Sequence, residues 1–193
     1  PAPVVSEKVR EAVLETIVKP TLKGMADMGA PFSGVLFAGL MIENEQPKLI
    51  EYNVRFGDPE CQVLMTRLES DLLPILLAAA RGDLSGVEAK WSNDVALTVV
   101  MAANGYPSAY EKGSQINSLP EPDECGNQVF HAGTQRVDNL IQASGGRVLN
   151  VTARGTTVSQ AQKKAYEMVA AIDWPEGFCR RDIGWRAIER EGS

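Results

Sequence analysis

The sequence predicts an α+β chain in two parts, a helix–strand–strand–helix portion over 1–90 and a small, mostly-β portion with one helix over 91–193. Three observations carry this. Residues 34–55 hold two adjacent strand-like runs joined by a polar turn. A stretch with scattered charges and Gly86, Asp83–Asp94, reads as the linker. Beyond it the pattern changes to short apolar runs punctuated by turn residues, with a single helical period.

Each element has its own reason. From Val4 to about Met28, Val9, Val13 and Ile17, then Leu14, Val18 and Leu22, recur at helical spacing, with Ser6 as N-cap and Pro20 as a kink or break. Gly34–Ile42 is a continuous apolar run, expected as a buried strand, and Glu43–Pro47 as a turn. Lys48–Arg55 returns antiparallel. Helices are expected from Pro59 to about Leu68 and, capped by Ser70, from Asp71 to Arg81, with Gly82 as the stop. In the second part Val95–Ala103, Gln128–Ala132 and Arg147–Thr152 read as strands, Asn104–Pro107 as a turn and Pro120–Gly126 as a loop. About Ser159 to Ile172 reads as the helix, and the Arg180–Ile188 tail is expected to pack back onto the sheet. Trp91, Trp174 and Trp185 are expected as packing anchors.

Composition removes several function classes. With 193 residues and 44% hydrophobic content the chain can bury a sizeable core. A net charge of -6 argues against nucleic acid or an anionic membrane as partner. No apolar run approaches the roughly 20 residues of a membrane span, and no signal-peptide pattern is visible. Cys61, Cys125 and Cys179 lack CxxC spacing, so reduced thiols are expected, and a cytoplasmic location with them. The single His131 disfavours a His-based metal site or a Ser-His relay. There is no GxGxxG and no Walker-type loop.

The richest segment is Lys48–Glu60. Read as a strand, it places Leu49, Glu51, Asn53 and Arg55 on one face and the apolar Ile50, Tyr52, Val54 and Phe56 on the other, the second face implying burial. The first face spaces a carboxylate, a carboxamide and a guanidinium about 7 Å apart. Carboxylate and amide oxygens suit a hard divalent cation, and an arginine fork grips phosphate or carboxylate in two places. Gly57 then permits a turn, and Asp58-Pro59-Glu60 reads as N-cap, first helical residue and first-turn acid. Together these are the parts of a phosphoryl-transfer site.

The run Ile50-Glu51-Tyr52-Asn53-Val54-Arg55-Phe56-Gly57-Asp58-Pro59-Glu60 resembles the signature of the phosphoribosylamine–glycine ligase family. Ser33–Met41 is similar to the strand before it in that family. Ser144-Gly145-Gly146-Arg147-Val148-Leu149 and Arg180-Arg181-Asp182-Ile183-Gly184 are similar to its C-terminal domain. The resemblance runs in order along essentially the whole chain.

The resemblance implies the C-terminal lobe of an ATP-grasp module over 1–90, followed by the family's C-terminal domain over 91–193. It implies ATP-dependent ligation of glycine to 5-phosphoribosylamine in purine biosynthesis. Glu51 and Asn53 match the metal ligands, for Mg2+ with Mn2+ as the other candidate. No acid is present near Phe37 on the preceding strand, where the wider superfamily has one. Arg55 matches the arginine that steadies the acyl phosphate and its tetrahedral successor. Gly57, Asp58, Pro59 and Glu60 match the substrate-side turn, and Arg180, beside Arg181 and Asp182, a substrate-binding motif. The chain begins at Pro1 without an initiator Met, at a point resembling the middle of the family's ligase. Its expected partners are thus ATP, glycine, 5-phosphoribosylamine and a missing N-terminal half. The alternatives are a non-catalytic fragment, or another ATP-grasp ligase or carboxylase.

Overall fold

The computed structural model describes residues 5–192, so Val4, the expected helix start, lies outside the described residues. The chain divides into two compact units, Pro1–Gly57 with Leu68–Lys90, and Asp58–Arg67 with Trp91–Ser193. The architecture is α+β throughout.

In the first unit, helix α1 (Glu7–Val13) starts at Ser6, whose hydroxyl accepts from Val9 N. It continues through a π-helical turn, Leu14–Val18, into α2 (Lys19–Asp27). Pro20 therefore neither breaks nor ends the helix. It has no N–H for the Thr16 carbonyl, and the turn ahead of it widens so that Lys19 N reaches Leu14 O, five residues back.

Strands β1 (Phe37–Glu43) and β2 (Gln46–Asn53) form an antiparallel hairpin. Asn44 and Glu45, both at positive φ, make the two-residue connection that suits strand twist. The register slips between Gly39 and Leu40: Gly39 faces Glu51, and Leu40 faces Leu49. Ile50 is thus the extra residue of a bulge. The expected burial of the apolar face fails here, since Ile50 is 64% and Val54 71% exposed. The bulge takes Ile50 out of the alternation, and β2 ends at Asn53, leaving Val54 in a bend. Tyr52 and Phe56 are half-buried and keep part of the predicted role, and the Tyr52 hydroxyl bonds Thr21 Oγ1 and donates to Ile17 O at 3.5 Å.

Helix α4 (Leu72–Arg81) ends at Gly82 in the left-handed region, as its glycine allows. Its N-cap is Asp71, which accepts from Leu73 N at 2.9 Å, and not Ser70. The Ser70 hydroxyl is engaged with the supposed linker, accepting from Lys90 N at 2.6 Å and donating to Glu88 O at 3.2 Å. Glu88 and Lys90 are thereby fastened within the first unit.

The second unit is built on an antiparallel sheet of order β5–β8–β3–β9, with β3 at Val95–Ala103, β5 at Gln128–His131, β8 at Arg147–Gly155 and β9 at Gly177–Cys179. On one face Leu97, Val99 and Met101 oppose Ala153, Val151 and Leu149. Helix α5 (Val158–Ala170) covers them with Ala161, Ala165 and Val169. Burying each large aliphatic here stabilises by roughly 1.5–3 kcal/mol. The approach is close because a Cβ on Gly155 would stand 2.7 Å from Ala161 N. Helix α3 (Glu60–Arg67) packs against β3 and β8.

A second sheet, β4 (Gln115–Ile116), β7 (Leu140–Ala143) and β6 (Thr134–Val137), was not foreseen from the sequence. Nor were α6 (Trp185–Glu191) and β9, which pairs with β3; within the Arg180–Ile188 tail, α6 packs on α5, and Ile183, Ala187 and Ile188 lie against the core cluster. Trp174 is the buried anchor expected, its indole donating to Ser114 Oγ at 3.0 Å. Trp91 and Trp185 are more than 40% exposed, against expectation, and neither belongs to the core cluster.

The 120–127 loop turns on Asp123. Its carboxylate accepts from Cys125 N, Asn127 N and Asn127 Nδ2 at 2.6–2.9 Å. Burial pushes this carboxyl up, but the Asn127 and Cys125 bonds outweigh it, and Lys164 adds to them, so it titrates below its ordinary 3.8. A depressed carboxylate stabilises the loop above the unfolded value and stops doing so as pH falls through the folded one. Amide exchange at Asn127 is expected to quicken only below about pH 3.8. Protection that persists unchanged to pH 2 would remove Asp123 as its cause.

Candidate active site

In the first unit, Glu51, Asn53 and Arg55 form a continuous row. Asn53 Nδ2 donates to Glu51 Oε1 at 3.2 Å, and Arg55 Nη2 donates to Asn53 Oδ1 at 3.3 Å. Arg55 Nη1 donates to its neighbour's carbonyl, Phe56 O, at 2.8 Å. Two of the three residues lie on β2 and the third in the bend that ends it. The row survives the bulge because the slip falls before Glu51.

Gly39 makes room for this row. Directly across the hairpin, a Cβ there would sit 3.1 Å from Glu51 Cγ. The residue opposite Asn53 is Phe37, so β1 adds no oxygen ligand. Among the described residues no group of three or more His, Cys, Asp or Glu is placed to hold a metal. Glu51 and Asn53 nevertheless supply hard oxygens on one strand face, and Glu51 Oε2 carries no bond to protein among the described residues. Two such donors could hold part of the coordination sphere of a hard divalent cation.

Gly57 is buried and closes the first unit. Asp58 and Pro59, joined by a cis peptide bond, form a turn, and the helix starts at Glu60. The expected N-cap at Asp58 and first helical residue at Pro59 are therefore corrected. The Asp58 carboxylate is drawn to Arg147 instead: Arg147 Nη2 donates to Asp58 Oδ2 at 2.7 Å, and Nη1 to Asp58 O at 3.4 Å. Sequence reasoning missed Arg147 as a partner of this turn. The available signal was its place at the end of the Ser144-Gly145-Gly146-Arg147 motif. The glycines there serve close approach, since a Cβ on Gly146 would fall 2.3 Å from the Tyr106 ring.

Arg180 is held in a two-pronged pair with Asp182, through Nε–Oδ1 at 2.9 Å and Nη2–Oδ2 at 2.7 Å. The hydrogen bond holds the Asp182 carboxyl below, and the Arg180 guanidinium above, its usual value. His131 is exposed and bonds Thr134 Oγ1 at 2.9 Å, with no carboxylate bonded to it. A cleft of about 420 Å³ lies beside His131 and Arg136, and another of about 540 Å³ beside Glu111 and Glu176; neither includes a predicted site residue.

The three thiols are free. Burial, with the nearby Asp58 carboxylate, pushes the Cys61 thiol up; burial does the same to Cys179, partly offset by Arg181. Cys125 is exposed. At pH 7 an alkylating reagent is expected to label Cys125 first, with Cys61 and Cys179 lagging about tenfold or more in rate. Peptide mass spectrometry checks the order, and equal rates at Cys61 and Cys125 would refute it.

Residues 1–61 match the phosphoribosylglycinamide synthetase ATP-grasp (A) domain, and residues 96–186 match the phosphoribosylglycinamide synthetase C domain. The phosphoribosylamine–glycine ligase of Mesorhizobium japonicum is 57% identical over 191 residues, covering 99% of this chain and 45% of the relative. The ligase of that name from Escherichia coli is 50% identical over 193 residues, with the same coverage. The crystal structure of phosphoribosylamine–glycine ligase from Thermotoga maritima superposes with a TM-score of 0.81 at 34% identity, covering 93% of this chain and 44% of that one. A single-chain long-chain acyl-CoA carboxylase, 18% identical with a TM-score of 0.64, shares the fold. The chain spans a little under half the length of these ligases. By sequence and by fold it belongs to the phosphoribosylamine–glycine ligase family.

Proposed function

We propose that the protein containing this chain joins glycine to 5-phosphoribosylamine at the expense of ATP, giving glycinamide ribonucleotide, ADP and phosphate. The observation that carries the reading is the Glu51–Asn53–Arg55 row, in a chain 50–58% identical to bacterial relatives bearing that ligase name. Glu51 and Asn53 are the proposed metal ligands, and their hard oxygens favour Mg2+, with Mn2+ second. When bound, the metal would offset charge on the nucleotide phosphates during transfer.

The chain's own residues do the rest. Glycine's carboxylate attacks the γ-phosphate, and the amine then displaces phosphate from the resulting glycyl phosphate. Arg55, braced by Phe56 O and Asn53 Oδ1, presents a fixed guanidinium to the oxyanion that develops at the glycyl carbon. ATP supplies the activation, so no side-chain nucleophile is required. Gly57, Asp58, Pro59 and Glu60 are the proposed substrate-side turn. Arg180 is the proposed substrate-binding cation, its Nη1 left over from the Asp182 pair. The proposed domains are 1–90, the second half of the ATP-grasp module, and 91–193, the C-terminal domain.

A further N-terminal half is the proposed partner of the first unit. Its support is apolar surface without cover on that unit: Met28 is 80%, Leu73 70%, Ile50 64% and Val54 71% exposed. Exposed apolar surface in excess of the ordinary favours an interaction partner. Among the described residues no helix is long and apolar enough to cross a membrane, and a cytoplasmic location is the proposal that goes with a purine ligase.

The test joins intact mass with an assay for glycine- and phosphoribosylamine-dependent ADP release. Turnover requiring both substrates supports the reading. A protein that carries the relatives' full length and releases ADP with other acceptors, but not with these, overturns it. Silence from the 20.9 kDa chain alone marks it as a piece whose site needs the partner.

A further inference from the structure

Helix α3 is fastened at both ends within the second unit. At its head Arg147 holds Asp58. At its tail Arg154 Nη1 donates to Thr66 O at 3.4 Å, Arg67 Nη2 to Ser92 O at 2.8 Å, and Ser92 N to Arg67 O at 2.8 Å. Both anchoring arginines belong to β8, one at each end, so the middle turn of α3 lies over the middle of that strand.

There Asn150, Thr152 and Arg154 alternate along one face. Thr152 is satisfied by Thr98 Oγ1 at 2.8 Å, and Arg154 by Ser92 and Asp94. Asn150 is fully buried, and among the described residues neither its Oδ1 nor its Nδ2 has a protein partner. Its cross-strand neighbours, Val100 and Phe130, offer no side-chain polar atom. On α3, Gln62 Oε1 is buried and equally without a partner. The other such atoms, Arg67 Nε and Arg154 Nε, belong to guanidinium groups already bonded through a neighbouring nitrogen.

Buried amides are rarely left unpaired, because each orphan forfeits its hydration without return. The three amide atoms here are one donor group and two acceptors. One water molecule matches that set. It accepts from Asn150 Nδ2, donates one hydrogen to Asn150 Oδ1 in a cyclic amide–water pair, and donates the other to Gln62 Oε1.

We propose that Asn150 and Gln62 share one buried water, and that this bridge seats α3 and steadies the Asp58–Glu60 turn at its head. Both are positioning residues, acting through the helix. The positioning half of the inference rests on residues 57–60 being the substrate-side turn.

The test uses the full-length protein. A native crystal structure near 1.5 Å resolution is expected to show one water bonded to both amides. Asn150→Leu and Gln62→Leu are each expected to raise KM for phosphoribosylamine about tenfold, with kcat held within about twofold. The double variant should be no worse than either single, since both act through one water. A merely structural role would instead lower the active fraction, and so apparent kcat, at unchanged KM. Unchanged KM, additive losses, or a native seam in which the two amides bond each other directly would each overturn the proposal. Should Asn150→Leu fail to fold, Gln62→Leu and the native density still decide. If the unsubstituted full-length protein releases no ADP with glycine and phosphoribosylamine the ligase reading fails; if it does so while the Asn150 and Gln62 variants behave as native, only this inference fails.

Discussion

Glu51→Ala, in the full-length protein, is expected to cut kcat by about a hundredfold or more and to make the residual rate depend steeply on metal concentration. The residue lies on an exposed strand face, and its hydrogen-bond partner is Asn53. Removing the carboxylate therefore deletes a hard oxygen and leaves no buried group unpaired. Stability should move by no more than about 0.5 kcal/mol. Rate against Mg2+ concentration, run beside thermal unfolding, separates the two effects. Native rates at limiting metal would show that Glu51 is not a ligand.

Arg55→Lys is the second large effect, an expected loss of about a hundredfold in kcat. The structure gives the reason. Arg55 uses Nη1 on Phe56 O and Nη2 on Asn53 Oδ1, which fixes the plane of the fork. A lysine ammonium keeps the charge but has no plane, so bracing and presentation to a developing oxyanion cannot be met together. Because the substitution preserves charge, a metal-binding defect is not expected with it. The KM for ATP should stay within about threefold while kcat falls. Full activity in the lysine variant would leave Arg55 with a bracing role alone.

The elements read well from sequence are those whose signal is local. Val95–Ala103 was bounded correctly because nine residues without a breaker sit between a charged stretch and an Asn-Gly turn. Ser6 and Gly82 were placed because capping depends on the residue itself. The β6–β7 hairpin escaped because its strands are four residues each and mixed in polarity, and its turn is Asp138-Asn139, not Asn-Gly. Asp71 displaced Ser70 as cap because the Ser70 hydroxyl had a long-range use that no local pattern shows.

The candidate site divides along the same line. Its row of side chains, its turn and its family were legible in thirteen consecutive residues, Lys48–Glu60, because strand periodicity fixes which groups share a face. What surrounds those residues was decided only in three dimensions. A one-residue slip exposed Ile50, and a strand almost ninety residues away supplied Arg147 to Asp58, removing it from the cap. A buried amide on that same strand, facing α3, has no sequence signature at all. Local periodicity determined which chemistry this chain carries. Long-range pairing, whose partners have no fixed spacing in sequence, determined how that chemistry is held.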